Sequence, residues 1–178
     1  MKQQLLNQTF DTERALYHLN NMEVAGCRFA GPQDGESALK EASNITVKNC
    51  DFSLRYPMWH VKDFELVHSS MDDKARAPIW YAERGNIVKC TINSIKCLRE
   101  CSNIKISDSD ISSQEFGWKC HDILIENSTI VSEYFLLDSK HVEINQLTMK
   151  GKYSFLHVEN LKIIDSSLDT KDAFWHSK

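Results

Sequence analysis

Large apolar residues recur along this chain at an interval that suits neither a surface helix nor a hairpin. One stands at Phe10, Phe29, Phe52, Met71, Ile92, Ile111, Ile130, Met149 and Leu168, with intervals of 19, 23, 19, 21, 19, 19, 19 and 19. Five positions before each of these landmarks lies Leu5, Val24, Val47, Leu66, Ile87, Ile106, Ile125, Ile144 or Ile163, an apolar ladder without exception. Seven before stand Gln3, Met22, Ile45, Phe64, Gly85, Ile104, Ile123, Val142 and Leu161, with Gln3 and Gly85 as the lapses. The two-residue step between these columns is that of a strand with one face turned inward. A fixed period near twenty, carrying β-branched residues at fixed offsets, marks a solenoid in which each repeat is one coil. The sequence therefore predicts an all-β fold, a single-stranded parallel β-helix of about nine coils of roughly 19 residues, in one domain spanning 1–178. Adjacent coils of a parallel sheet lie about 4.8 Å apart, which gives a stack about 40 Å long.

The remaining columns set the corners. Two before the landmark come Cys27, Cys50, Ser69, Cys90, Ser109, Ser128, Leu147 and Ser166, mostly small residues whose offset implies a bend with little room. Each coil starts at a polar stack, Asn21, Asn44, Asp63, Arg84, Asn103, Asp122, His141 and Asn160, where a turn needs residues that tolerate the left-handed conformation. In the second half of the coil, the columns through Met58, Ile79 and Leu98 and through Val61, Ala82, Cys101 and Cys120 are apolar or small and are predicted to face inward. Two columns between them are pushed out around a corner. The first reads Tyr17, Lys40, Trp59, Trp80, Arg99, Trp118, Leu137, Leu156, Trp175, and the second His18, Glu41, His60, Tyr81, Glu100, Lys119, Asp138, His157, His176. Their charged members cannot lie unpaired in a dry core, so both columns belong outside. The extra residues of the two longer coils fall in AGPQDGESA and DDKARAP, which read as surface turns on one side of the solenoid. Insertions gathered on one face are a sign of a binding face.

Composition narrows the function. With 21 basic and 25 acidic residues the formal net charge is −4, and no basic face is present, so nucleic acid is not an expected partner. The start MKQQLLNQTF lacks a signal core and no run approaches the length of a membrane span, so a cytoplasmic protein with no membrane partner is expected. The six cysteines sit in repeated core columns and are read as reduced, buried thiols instead of disulfide staples.

The coil pattern S-N-I-x-I-x-x-S-x-I is similar to the repeats of right-handed parallel β-helices, the architecture of pectate lyases and many carbohydrate-active proteins. Across the chain, SNITVKNCDF, SNIKISDSDI, NLKIIDSSL and DTKDAFWHSK resemble an uncharacterised bacterial family, the domain of unknown function numbered 3737. That resemblance implies a right-handed, pectin-lyase-like coil and no established activity, so it carries no catalytic residue over. It also implies further coils beyond Lys178, so that the last coil here is open and invites self-association through the C-terminal end.

Three sets of residues compete for a role. Glu100, Lys119 and Asp138 stack in consecutive coils with the carboxylates about 9 to 10 Å apart, the weak catalytic candidates of a glycoside hydrolase or polysaccharide lyase, but a solvated charge ladder between coils explains the same residues without any chemistry and is the favoured reading. Cys97, Cys101, Cys120 and His121 match no zinc spacing, and the pair His157 and His176 offers too few ligands, so neither a metal nor any other cofactor is expected. The third set is the aromatic stripe: Trp59, Trp80, Arg99 and Trp118, with His60 and Tyr81 beside them, which line about 15 Å of surface. Exposed aromatics of that extent point to a protein or a glycan, unless Tyr56, Phe116, Tyr134 and Tyr153 fold over them. The sequence is thus read as a non-catalytic β-helix scaffold with an aromatic and histidine binding stripe, and as a carbohydrate-active enzyme in the second place.

Overall fold

The structure, a computed structural model, describes residues 2–32 and 35–178. Among them every strand pairing is parallel and none lies in a helix, so no helix is long and apolar enough to cross a membrane. The chain winds as a β-solenoid of about nine turns of about 19 residues. Its register follows the sequence columns: Leu66, Ile87, Ile106, Ile125, Ile144 and Ile163 face one another through successive coils. Leu66, Ile87, Ile106, Ile125 and Ile144 are wholly buried. Coil-on-coil stacking buries this ladder continuously, and at about 25 cal/mol per Å2 each buried isoleucine contributes roughly 1.5–3 kcal/mol. Phenylalanines extend the same stacking, with Phe10 on Phe29 at 5.1 Å and Phe29 on Phe52 at 4.6 Å between ring centroids.

Each coil turns through left-handed residues. The starting column, from Asn21 and Asn44 to Asn160, has positive φ throughout, and so does the outer column from His18 to His176. A third such column runs through Asn7, Gly26, Asn49, His68, Lys89, Asp108, Asn127, Gln146 and Asp165, with φ between 41° and 65°. The sequence signals it only in part, because His68, Lys89 and Gln146 interrupt its Asn, Asp and Gly members. The left-handed conformation costs a non-glycine residue about 1–2 kcal/mol. Ladder hydrogen bonds of similar size offset it, as where His68 N–H donates to Val88 O at 3.0 Å and Lys89 N–H to Ser107 O at 3.0 Å.

The small corner columns do more than save space. Cys50 N–H donates to Ser69 Oγ, Cys90 N–H to Ser109 Oγ and Ser109 N–H to Ser128 Oγ, each at 3.1 Å. The second inward corner repeats the device, with Cys120 N–H on Ser139 Oγ at 3.1 Å. At these bends the backbone donor turns away from the next coil's carbonyl, and a short side chain one coil further accepts it. Phe116, which the sequence placed among the turn residues over the stripe, is instead fully buried and stacks on Phe135 at 5.2 Å. The bend in its coil falls at Ser113, whose Oγ accepts Cys97 N–H at 2.9 Å, so Phe116 lies past the corner on an inward position. Burial thins at both ends of the stack: Leu5 and Phe10 in the first coil and Leu161, Ile163 and Leu168 in the last are only partly buried.

Candidate functional site

Parallel stacking brings the stripe into register, since Trp59 pairs with Trp80, Trp80 with Arg99 and Arg99 with Trp118. The two indoles Trp59 and Trp80 lie face to face, 5.3 Å between centroids and 3° between planes. The Arg99 guanidinium then sits between two rings, its Cζ 5.0 Å from the centroid of Trp80 and 5.1 Å from that of Trp118. A cation held between indoles is attracted by both ring quadrupoles, worth about 0.5–2 kcal/mol per contact. Each indole N–H is also spoken for: Trp59 Nε1 donates to Ala77 O at 2.8 Å, Trp80 Nε1 to Lys96 O at 3.0 Å and Trp118 Nε1 to Tyr134 O at 3.3 Å. Tyr56 leans on Trp59 at 4.8 Å, and Tyr134 meets Trp118 edge-on at 5.9 Å. All four stripe residues are half-buried, and Trp80 has both ring faces covered, by Trp59 on one side and Arg99 on the other.

The second outer column borders this stack. His60 and Tyr81 stack at 4.8 Å, and Tyr81 stands nearly perpendicular to Trp59 and to Trp80, at 6.1 and 6.0 Å. His60 is exposed, and Tyr81 is half-buried.

A family model described as a protein of unknown function, DUF3737, matches residues 3–178. The chain belongs to the DUF3737 family. No curated protein matches it. The DUF3737 description names no activity, so any role must be argued from the residues themselves.

In this DUF3737 chain the charged candidates Glu100, Lys119 and Asp138 occupy the exposed left-handed corner, with φ of 50°, 54° and 54°. Their backbone N–H groups continue the ladder, to Trp118 O, Leu137 O and Leu156 O at 2.9, 2.8 and 3.0 Å. No ion pair among the described residues joins the three, so the expected charge ladder does not form there. Inter-coil ion pairs form instead between strands, Lys105 with Glu126 at 2.6 Å and Lys162 with Glu143 at 2.8 Å, where side chains project in parallel from one sheet face.

The cysteines are free and buried. Burial pushes the Cys50 thiol up to about 11 and holds Cys97, Cys90 and Cys120 above the usual thiol range, so these four lack thiolate character at neutral pH. His121 does not join Cys97, Cys101 and Cys120, because it lies on the surface with Nδ1 2.9 Å from Asp122 Oδ2. Among the described residues no group of three or more His, Cys, Asp and Glu side chains is placed to hold a metal ion. His157 and His176 stack ring on ring at 5.1 Å.

Proposed function

We propose that this protein is a non-catalytic β-solenoid scaffold that binds another protein along the stripe formed by Trp59, His60, Trp80, Tyr81, Arg99 and Trp118. The observation that carries the reading is the closed stack itself: Trp59 on Trp80, and Arg99 between Trp80 and Trp118. A sugar platform offers a free indole face to the apolar face of a ring, whereas Trp80 has both faces covered and Trp59 and Trp118 each have one against a stripe neighbour. The stripe is a row of stacked aromatics and one arginine beside an exposed histidine, the composition of a protein contact, in which Trp, Tyr and Arg act as anchors at little cost in side-chain order. The exposed corner of Glu100, Lys119 and Asp138 gives no support to the carbohydrate-active alternative. Six free buried thiols suit a reducing compartment, and we place the protein in the cytoplasm on that ground.

The experiment pairs two measurements. A photoreactive benzophenone side chain is placed at His60, with the same side chain at Thr129 on a different face as the control. Discrete protein adducts from position 60 alone, together with no saturable tryptophan-fluorescence response to an oligosaccharide panel, are expected. Equal adducts from both positions, or a saturable response to a sugar, overturn the reading.

A further inference from the structure

The two coils that exceed the common repeat start at Phe29 and Met71, and the coil of Phe52 between them keeps the 19-residue length. Their extra residues therefore rise on either side of one plain coil. The result is a cleft of about 680 Å3 whose floor is Ser53, Leu54 and Arg55. Gly31 and Pro32 form one wall, and Asp73, Lys74 and Arg76 form the other. Walls two coils apart stand about 10 Å from each other, room for one small organic molecule.

Both walls are anchored. A Cβ on Gly31 would lie 2.5 Å from Asp11 O, so only glycine lets the first loop leave the stack there. In the second loop Asp72 Oδ1 accepts Lys74 N–H at 3.0 Å, and Ala75, wholly buried between Lys74 and Arg76, is tied by Ser94 Oγ, which donates to Ala75 O at 2.9 Å. Lys96 N–H donates to Arg76 O at 3.0 Å. Lys74 and Arg76 thus leave an ordered backbone on the outward side of the loop, and both are exposed.

Charge sets the cleft apart from a chain whose net charge is −4. Among the described residues it is lined by Arg55, Lys74 and Arg76 against one carboxylate, Asp73. Arg55 is paired with Glu36 at 3.2 Å, whereas Lys74 and Arg76 take part in no ion pair among the described residues. Two cations with no ion pair among the described residues, on a fixed wall with Leu54 and Pro32 as apolar surface, fit an organic body that carries oxyanion charge. We propose that this cleft is a binding site for a small, multiply charged organic oxyanion, recognised by Lys74 and Arg76 and backed by Arg55. The site is separate from the aromatic stripe, although Arg76 also lines a neighbouring concavity of about 200 Å3 with Tyr56 and Trp80.

Calorimetric titration of the whole chain with glucose 6-phosphate, with citrate and with glucose tests the site, and the first two separate phosphate from carboxylate recognition. Saturable binding of at least one of the two anions and none of glucose is expected. Lys74→Ala and Arg76→Ala should each weaken it about tenfold or more while keeping the wild-type melting temperature, and Lys150→Ala, an exposed cation on another face, should leave it unchanged. No saturable heat from either anion at about 10 mM, or equal weakening by Lys150→Ala, overturns the proposal.

Discussion

The ring of Phe64 fills the space above Gly85. The two residues are register partners in adjacent coils, and a Cβ on Gly85 would lie 2.1 Å from both Cε1 and Cζ of Phe64. The lapse in an otherwise apolar column is therefore a packing partnership: one coil supplies a ring, and the next supplies the absence of a side chain. Gly85→Ala should destabilise the protein by about 1–3 kcal/mol through overpacking, and Phe64→Leu in the same chain should recover part of that loss. Urea denaturation of wild type, both single variants and the double variant measures the coupling; additive effects would refute it.

The isoleucine ladder gives a second prediction. Ile106 and Ile125 are wholly buried between like neighbours, so Ile106→Asp or Ile125→Asp places an unpaired charge in the driest column of the stack. A loss of several kcal/mol is expected, enough to melt the flanking coils. Thermal denaturation followed by circular dichroism reads it, and wild-type melting of either variant would show the column to be misassigned.

Corner hydroxyls should matter for the hydrogen bond they accept. Ser109→Ala removes the acceptor of Cys90 N–H and is expected to cost about 1–3 kcal/mol, whereas Ser109→Cys, which keeps an acceptor of the kind Cys50 offers to Cys27 N–H, should cost less. The ranking in chemical denaturation checks this, and equal costs would mean that only the volume of the corner counts.

Because all six cysteines are buried, the native chain should react with a thiol reagent at pH 8 far more slowly than the unfolded chain, in which all six are accessible. Reducing agent should leave the melting temperature unchanged. Fast native labelling, or a fall in melting temperature with dithiothreitol, would contradict the buried free-thiol arrangement.

Acid should act through the cluster around Arg84. Its Nε and Nη2 bind Asp63 at 2.7 and 3.0 Å and its Nη1 binds Glu83 at 2.9 Å, while Lys62 reaches Glu83 at 3.3 Å. The Arg84 hydrogen bonds hold the Asp63 carboxyl below its usual range, and Lys62, then Arg84, do the same for Glu83. A carboxyl depressed in the folded state adds stability that is complete above its unfolded value near 4 and is lost as pH falls through the folded one. Arg84→Gln should thus reduce the melting temperature slightly at pH 6 and flatten its decline below about pH 4. Parallel pH profiles for the two proteins would dispose of the assignment.

The amino-acid sequence by itself determined the fold class, the coil register and the identity of the inward columns. In-register parallel stacking imposes the same chemical demand at the same offset in every coil, so Ile87, Ile106 and Ile125 announce one another across the chain. The left-handed start of each coil was legible for the same reason, through Asn, Asp and their neighbours. Only the tertiary structure decided what the outer columns do. The stacked indoles, the Arg99 cation between two rings, the inward Phe116, the lack of an ion pair among Glu100, Lys119 and Asp138, and the cleft between two insertion loops all depend on the particular side chains that meet across one coil spacing. A period can show which residues become neighbours, but contact depends on the volumes and rotamers of those neighbours, and these differ from coil to coil.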